Sequence, residues 1–192
     1  MAIKGFNFRA TDTFVTDGAN ETYVLGEAYP VTRNGITFGL DLIADINTRN
    51  RNAGNDRRLA GVNWNSAVDV TFRVDLLTSG THEIRVAAGD ASYSQATIYF
   101  ELKDDTTIFA TVDDLNGVAA NSFDDATGVE RTQAAWPGSN LAVSRVFAST
   151  IFRILMDVGD PIAHVQVEDI PAAGRGRSIM VVKNRVDLAW LE

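Results

Sequence analysis

Val68 to Ala88 reads VDVTFRVDLLTSGTHEIRVAA, and this run decides the fold. Val68, Val70, Phe72, Val74 and Leu76 alternate with Asp69, Thr71, Arg73 and Asp75, the period of two that belongs to a strand with one buried face. Thr78-Ser79-Gly80-Thr81 supplies turn-tolerant residues, and the alternation resumes at Ile84, Val86 and Ala88 with Glu83, Arg85 and Ala87 opposite. The expectation is two antiparallel strands joined directly as a hairpin. An isolated hairpin is marginal in water, so its apolar face predicts a second layer supplied by the rest of the chain.

Working outward, Ile98, Phe100 and Leu102 read as one strand and Ile108, Ala110 and Val112 as another, with Asp104-Asp105 at the turn between them. From Asp113 to Asn140 the segments DDLNG, FDDATG and WPGSN predict the longest loop region, the kind of excursion through which β modules bind. Leu141 to Phe147, Ile151 to Val158 and Ile162 to Val167 complete the strands. After Pro171, the run AAGRGRS has linker composition, and Ile179 to Val182 and Val186 to Trp190 read as short extended segments. The expected organisation is one domain over residues 1–171 and a linker with a C-terminal arm over 172–192. The tail reads either as one more local hairpin or as an arm that adds a strand to a neighbouring subunit, with Arg175, Arg177, Ile179, Val181 and Trp190 as its partner contacts.

Length and composition agree with a single β-sandwich. A chain of 192 residues can bury a substantial core in one unit. The absence of cysteine excludes disulfides, thiolate metal sites and cysteine nucleophiles, so stability must come from packing. A net charge of −8 argues against a nucleic-acid partner, which demands concentrated Lys and Arg. No window approaches the roughly twenty apolar residues of a membrane helix. The first thirty residues contain no apolar run suited to secretion, so synthesis in the cytoplasm is the expectation.

Ala10 to Ser94 resembles a jelly-roll module of the galactose-binding-like type. The points of likeness are Asp17-Gly18 with Tyr23, the strand Gly35-Ile36-Thr37-Phe38-Gly39, the run NTRNRN over 47–52, Asp56-Arg57, Phe72-Arg73-Val74-Asp75 with Gly80, and AAGDASYS over 87–94. Ala135-Trp136 and the strand Ile162 to Val167 fall where that family's closing strands would be. The resemblance implies an antiparallel β-sandwich that binds carbohydrate. Such modules act outside cells, whereas this chain lacks a recognisable signal; a phage particle reconciles the two, because virion proteins are made in the host cytoplasm.

The candidate ligand residues are Arg49, Arg51, Arg57, Trp64, Tyr93 and Trp136. Guanidinium groups present planar forks of donors to sugar hydroxyls, a uronate or a sulfate. The plainer reading has Arg49, Arg51, Arg57 and Arg58 pinning an irregular loop to Asp45, Asp56, Asp90 and backbone carbonyls, with Asn47, Asn50, Asn52 and Asn55 in the same role. Trp64, Tyr93 and Trp136 offer flat faces for sugar rings, or else plug an end of the sandwich; Trp136 is the favoured platform because Pro137-Gly138 follows it in a long loop. The pairs Asp104-Asp105, Asp113-Asp114 and Asp124-Asp125 carry oxygen ligands suited to calcium, but adjacent aspartates more often form turns and none lies in an alternating calcium-loop pattern. No cofactor is therefore expected.

Enzyme motifs are missing. The chain has no HExxH, no GxSxG and no phosphate-binding glycine loop, and its two histidines, His82 and His164, stand in no nucleophile motif. The leading expectation is a non-enzymatic structural protein of a phage particle, a homo-oligomer or a partner of other virion proteins, decorating capsid or tail. The alternative is a carbohydrate-binding module that recognises a surface glycan.

Overall fold

The structure, a computed structural model, describes residues 3–11, 20–41, 46–51, 56–136 and 142–170. The arm residues Arg175, Arg177, Ile179, Val181 and Trp190, and also Asp17-Gly18, Asp45, Asn52, Asn55 and Pro137-Gly138, lie outside them.

In chain order the strands are β1 (Ile3–Phe8), β2 (Glu21–Val24), β3 (Val31–Arg33), β4 (Ile36–Leu40) and β5 (Ile46–Asn50). There follow β6 (Gly61–Asn65), β7 (Val70–Asp75), β8 (Gly80–Asp90), β9 (Ile98–Asp104) and β10 (Thr107–Asp114). The last are β11 (Ser122–Asp124), β12 (Glu130–Thr132), β13 (Val143–Phe147), β14 (Ile151–Met156) and β15 (Ile162–Asp169). They form two sheets. One has nine strands on the path β12-β11-β8-β15-β1-β2, with β13 also on β8 and the β5–β6 pair joined to β15; the other has six in the order β10-β9-β14-β7-β4-β3. Pairing is antiparallel apart from β1 with β2 and a single bridge from Ala28 to Leu40. The chain is thus a β-sandwich, consistent with a jelly roll.

The inner faces meet as alternation requires. Phe6 and Phe8 of the nine-stranded sheet pack edge-on against Phe72 of the six-stranded one, with centroids 5.3 and 4.9 Å apart, and Phe6 also meets Phe38 at 5.2 Å. Each such pair contributes about 0.5–1.5 kcal/mol beyond its area burial. The nine-stranded sheet is buried on its outer face too, where Leu59, Val62, Ala87, Ala91, Phe123, Trp136 and Ala163 form a second apolar cluster.

The hairpin expected over 68–88 does not form. β7 pairs with β4 and β14, whereas β8 pairs with β15, β11 and β13, so the chain crosses from one sheet to the other between them. A sandwich arch and a hairpin bury the same alternate residues, and periodicity cannot tell them apart. Val68, expected inside, is exposed before the strand begins. The β9–β10 hairpin does form, but a bulge between Ile108 and Ala110 turns Ile108 outward and brings Phe109 onto the core. Residues 113–136, part of the expected loop region, are more regular than their composition suggests, because β11 and β12 pair with each other and β11 extends the sheet at β8.

Candidate functional site

Past the end of β8 and the start of β15 lies an open cleft of about 460 Å³, lined by Arg49, Arg51, Trp64, Asp90, Tyr93, Gln95, Gly159 and Pro161. Strand geometry gathers these groups. Alternation along β5 puts Asn47 and Arg49 on one face, and the register Asn47↔Trp64 and Arg49↔Val62 puts Trp64 of β6 diagonally beside Arg49. Arg51 continues the same spacing just beyond β5, its backbone N–H donating to the Ala60 carbonyl. Gly89 allows the close approach that ends β8. Its φ is +146°, its N–H donates to the Pro161 carbonyl, and a Cβ there would stand 2.6 Å from the Ser122 carbonyl oxygen.

The floor of the cleft is an ion pair. Arg51 Nε donates to Asp90 Oδ1 at 2.9 Å and Nη2 to Oδ2 at 2.5 Å, while the Ser92 N–H donates to Oδ1 at 2.8 Å. Asp90 is buried, so this bidentate pairing supplies what water would have supplied. The Arg51 guanidinium also lies 4.7 Å from the Tyr93 ring centroid, and Tyr93 remains 61% exposed. The ring is therefore held on one side by a cation and open to solvent elsewhere. Trp64 is half-buried, with its indole N–H unpaired among the described residues, and Arg49 is exposed and makes neither ion pair nor hydrogen bond there.

Of the residues singled out from sequence, Arg49, Arg51, Trp64 and Tyr93 come together here. Arg51 also serves the pinning role, as does Arg58, whose side chain grips Asp56 while Asp56 caps the short 3-10 turn over 57–59. Arg57 is elsewhere: it is exposed in that turn, and its carbonyl accepts from Arg9 Nη2 at 3.1 Å. Trp136, the favoured platform, is 5% exposed within the second apolar cluster and meets His164 edge-on, so it plugs the outer face of the sheet and offers no face to a ligand. Asn50 links the loop to the N-terminal segment, accepting from the Ala10 N–H and donating to Thr11 Oγ1. Gln95, Gly159 and Pro161 were not foreseen as lining residues; Gly159-Asp160-Pro161 reads in the sequence only as a turn.

Two buried polar groups lie away from the cleft. Glu21 Oε2 accepts from Asn7 Nδ2 at 2.9 Å and contacts His164 Nε2 at 3.2 Å. Burial works to raise the pKa of Glu21, but His164, Asn7 and the charge of Arg58 outweigh it and hold the carboxyl below its ordinary value. His164 is 1% exposed and the Glu21 side chain 14%, so this is a largely buried pair within the sheet. His82 is likewise buried, edge-on to Phe147.

The second group is Asp124. It is fully buried with neither carboxylate oxygen hydrogen-bonded to a donor, and burial, reinforced by Asp114, Glu130 and Asp125, pushes its pKa up to about 7. The adjacent Asp125 is satisfied instead, by Arg131 and by the N–H groups of Thr127 and Val129. Among the described residues no three His, Asp or Glu side chains stand close enough to hold a metal ion.

No family model matches the chain, and no curated protein matches it in sequence.

Proposed function

We infer that this protein is a non-enzymatic binding module that holds a glycan in the cleft between Arg49, Trp64 and Tyr93. The observation that carries the reading is the meeting of an exposed tyrosine, a half-buried tryptophan and two arginines around one open cleft. Its volume, about 460 Å³, falls in the range of small-ligand sites. Sugar rings lay their C–H faces on aromatic rings, and guanidinium donors reach their hydroxyls. The likeness of residues 10–94 to galactose-binding-like modules points the same way. A glycan array on the full chain tests it. Tyr93→Ala should weaken binding about tenfold or more with the melting temperature within a few degrees, and Trp64→Phe, which keeps a ring packed on the second apolar cluster, should weaken it less than Trp64→Ala does in the folded fraction; unchanged binding in all three variants would remove the cleft as the glycan site.

A second reading, a structural protein of a phage particle that decorates capsid or tail, is favoured by the sheet edges. Among the described strands β10 pairs only with β9 and β13 only with β8, and these edges expose Ile108 and Val146. Such edges suit pairing with a second copy or another virion protein. Light scattering after size exclusion should then show an oligomer that Ile108→Lys with Val146→Lys dissociates; a monomer throughout would count against it. A particle protein with a glycan cleft satisfies both readings.

A further inference from the structure

We propose that the cleft selects an anionic sugar, one bearing a carboxylate or a sulfate, with Arg49 as the residue that recognises the charge. The inference rests on the glycan reading of the same cleft and adds to it the class of ligand.

The described lining of the cleft is richer in free donors than in free acceptors. Among the described residues the only carboxylate lining the cleft is Asp90, and both its oxygens are already engaged, by Arg51 and the Ser92 N–H. A neutral sugar hydroxyl is both donor and acceptor, and sites for neutral sugars need free acceptors to receive its proton. Here the side-chain acceptors that remain among the described lining residues are the Gln95 amide oxygen and the Tyr93 hydroxyl. On the donor side stand the whole Arg49 guanidinium and the Trp64 indole N–H, both unpaired among the described residues. Such a surface matches a ligand rich in acceptors.

Charge points the same way. Arg51 and Asp90 neutralise each other, which leaves Arg49 as the net charge among the described lining residues. Arginine forks onto a carboxylate or sulfate through two parallel N–H bonds, a stronger and more directional contact than it makes to a hydroxyl. The overall charge of −8 would repel an acid at long range, but repulsion between exposed charges is screened beyond about 8–10 Å at physiological salt, while a direct guanidinium contact persists. Arg49 stands diagonally from Trp64 on the same strand face, so a sugar resting on the indole can bring a ring substituent to it.

Affinity electrophoresis or calorimetry of the full chain against three panels tests the proposal: neutral glucans and galactans, uronate polymers, and sulfated galactans, each at about 20 and 300 mM salt. The expected result is preference for at least one anionic panel, weakened by salt. Arg49→Gln should reduce anionic binding about tenfold and remove its salt dependence, with a clearly smaller loss for neutral glycans, whereas Trp64→Ala should reduce both alike. The uronate and sulfated panels separate the two sources of charge. Equal or better binding of neutral glycans, unaffected by Arg49→Gln, overturns the anionic inference and leaves the glycan reading standing. Failure of every panel to bind overturns both.

Discussion

Asp124 and Arg51 show how a single side chain sets measurable properties. Asp124 is buried among Asp114, Glu130 and Asp125, with its pKa pushed up to about 7, and burial similarly raises Asp160 to about 6. An unfolded aspartate titrates near ~3.9. A carboxyl whose folded pKa lies above its unfolded value contributes stability that is complete below the unfolded pKa and lost as pH rises through the folded one. These two groups therefore predict a stability that falls between about pH 4 and pH 7. Glu21, Glu27, Asp56 and Asp104 are held below their ordinary values by donors that outweigh burial, so their contribution is lost in the opposite direction, as pH drops below about 4. Thermal melts from pH 3 to 9 should peak in mild acid, and Asp124→Asn should flatten the alkaline arm, adding about 1–3 kcal/mol at pH 8. A variant that melts like the parent at pH 8 would show that Asp124 finds a partner in solution. Arg51→Ala leaves Asp90 buried without its cation and should destabilise the fold by about 3 kcal/mol in urea unfolding. Part of the cleft was legible at this scale, because Arg49, Arg51, Trp64 and Tyr93 are polar or aromatic residues in and beside a turn-rich run. Trp136 was misleading, since the Pro137-Gly138 that follows it reads as an exposed loop; its burial is set by long-range packing on the outer face of a sheet.

At the scale of elements, the strands themselves are readable because burial is written onto alternate residues, as in Val70, Phe72 and Val74 of β7. Their partners are not. The TSG segment between β7 and β8 joins opposite sheets, whereas Asp105-Thr106 joins neighbours in one sheet, and both look like turns in the sequence. The two connections should respond differently to insertion. Two extra glycines after Ser79 lengthen an exposed arch and should lower stability by under about 1 kcal/mol. The same insertion after Asp105, whose φ of +52° closes a two-residue hairpin, disturbs the register of β10 and should be the more damaging of the pair in chemical denaturation. The bulge at Ile108 was also invisible beforehand, because the alternating Ile108, Ala110 and Val112 hid the inward turn of Phe109.

Across the whole molecule, the sandwich acts as a rigid frame for a site built at its end. Phe72 sits at the seam, in contact with Phe6, Phe8 and Phe38, and Phe72→Ala should lose about 3–5 kcal/mol without changing the affinity of the fraction that stays folded. This separation of frame from site explains why fold class was more accessible from sequence than function. Packing needs only the right alternation, whereas the cleft depends on Asp90, Gln95 and Pro161, which reach it from different elements and share no local pattern. Glycan binding by this chain means that ligand enters this cleft and touches these residues. It is tested most directly by two-dimensional NMR of the full chain titrated with an acidic oligosaccharide, following backbone amides and the tryptophan indole N–H signals. The account predicts saturable shifts at Arg49, Arg51, Tyr93, Gln95 and the Trp64 indole, with the buried Trp136 indole unmoved. Shifts confined to the β10 and β13 edges, or no saturable shift near Trp64, would contradict it.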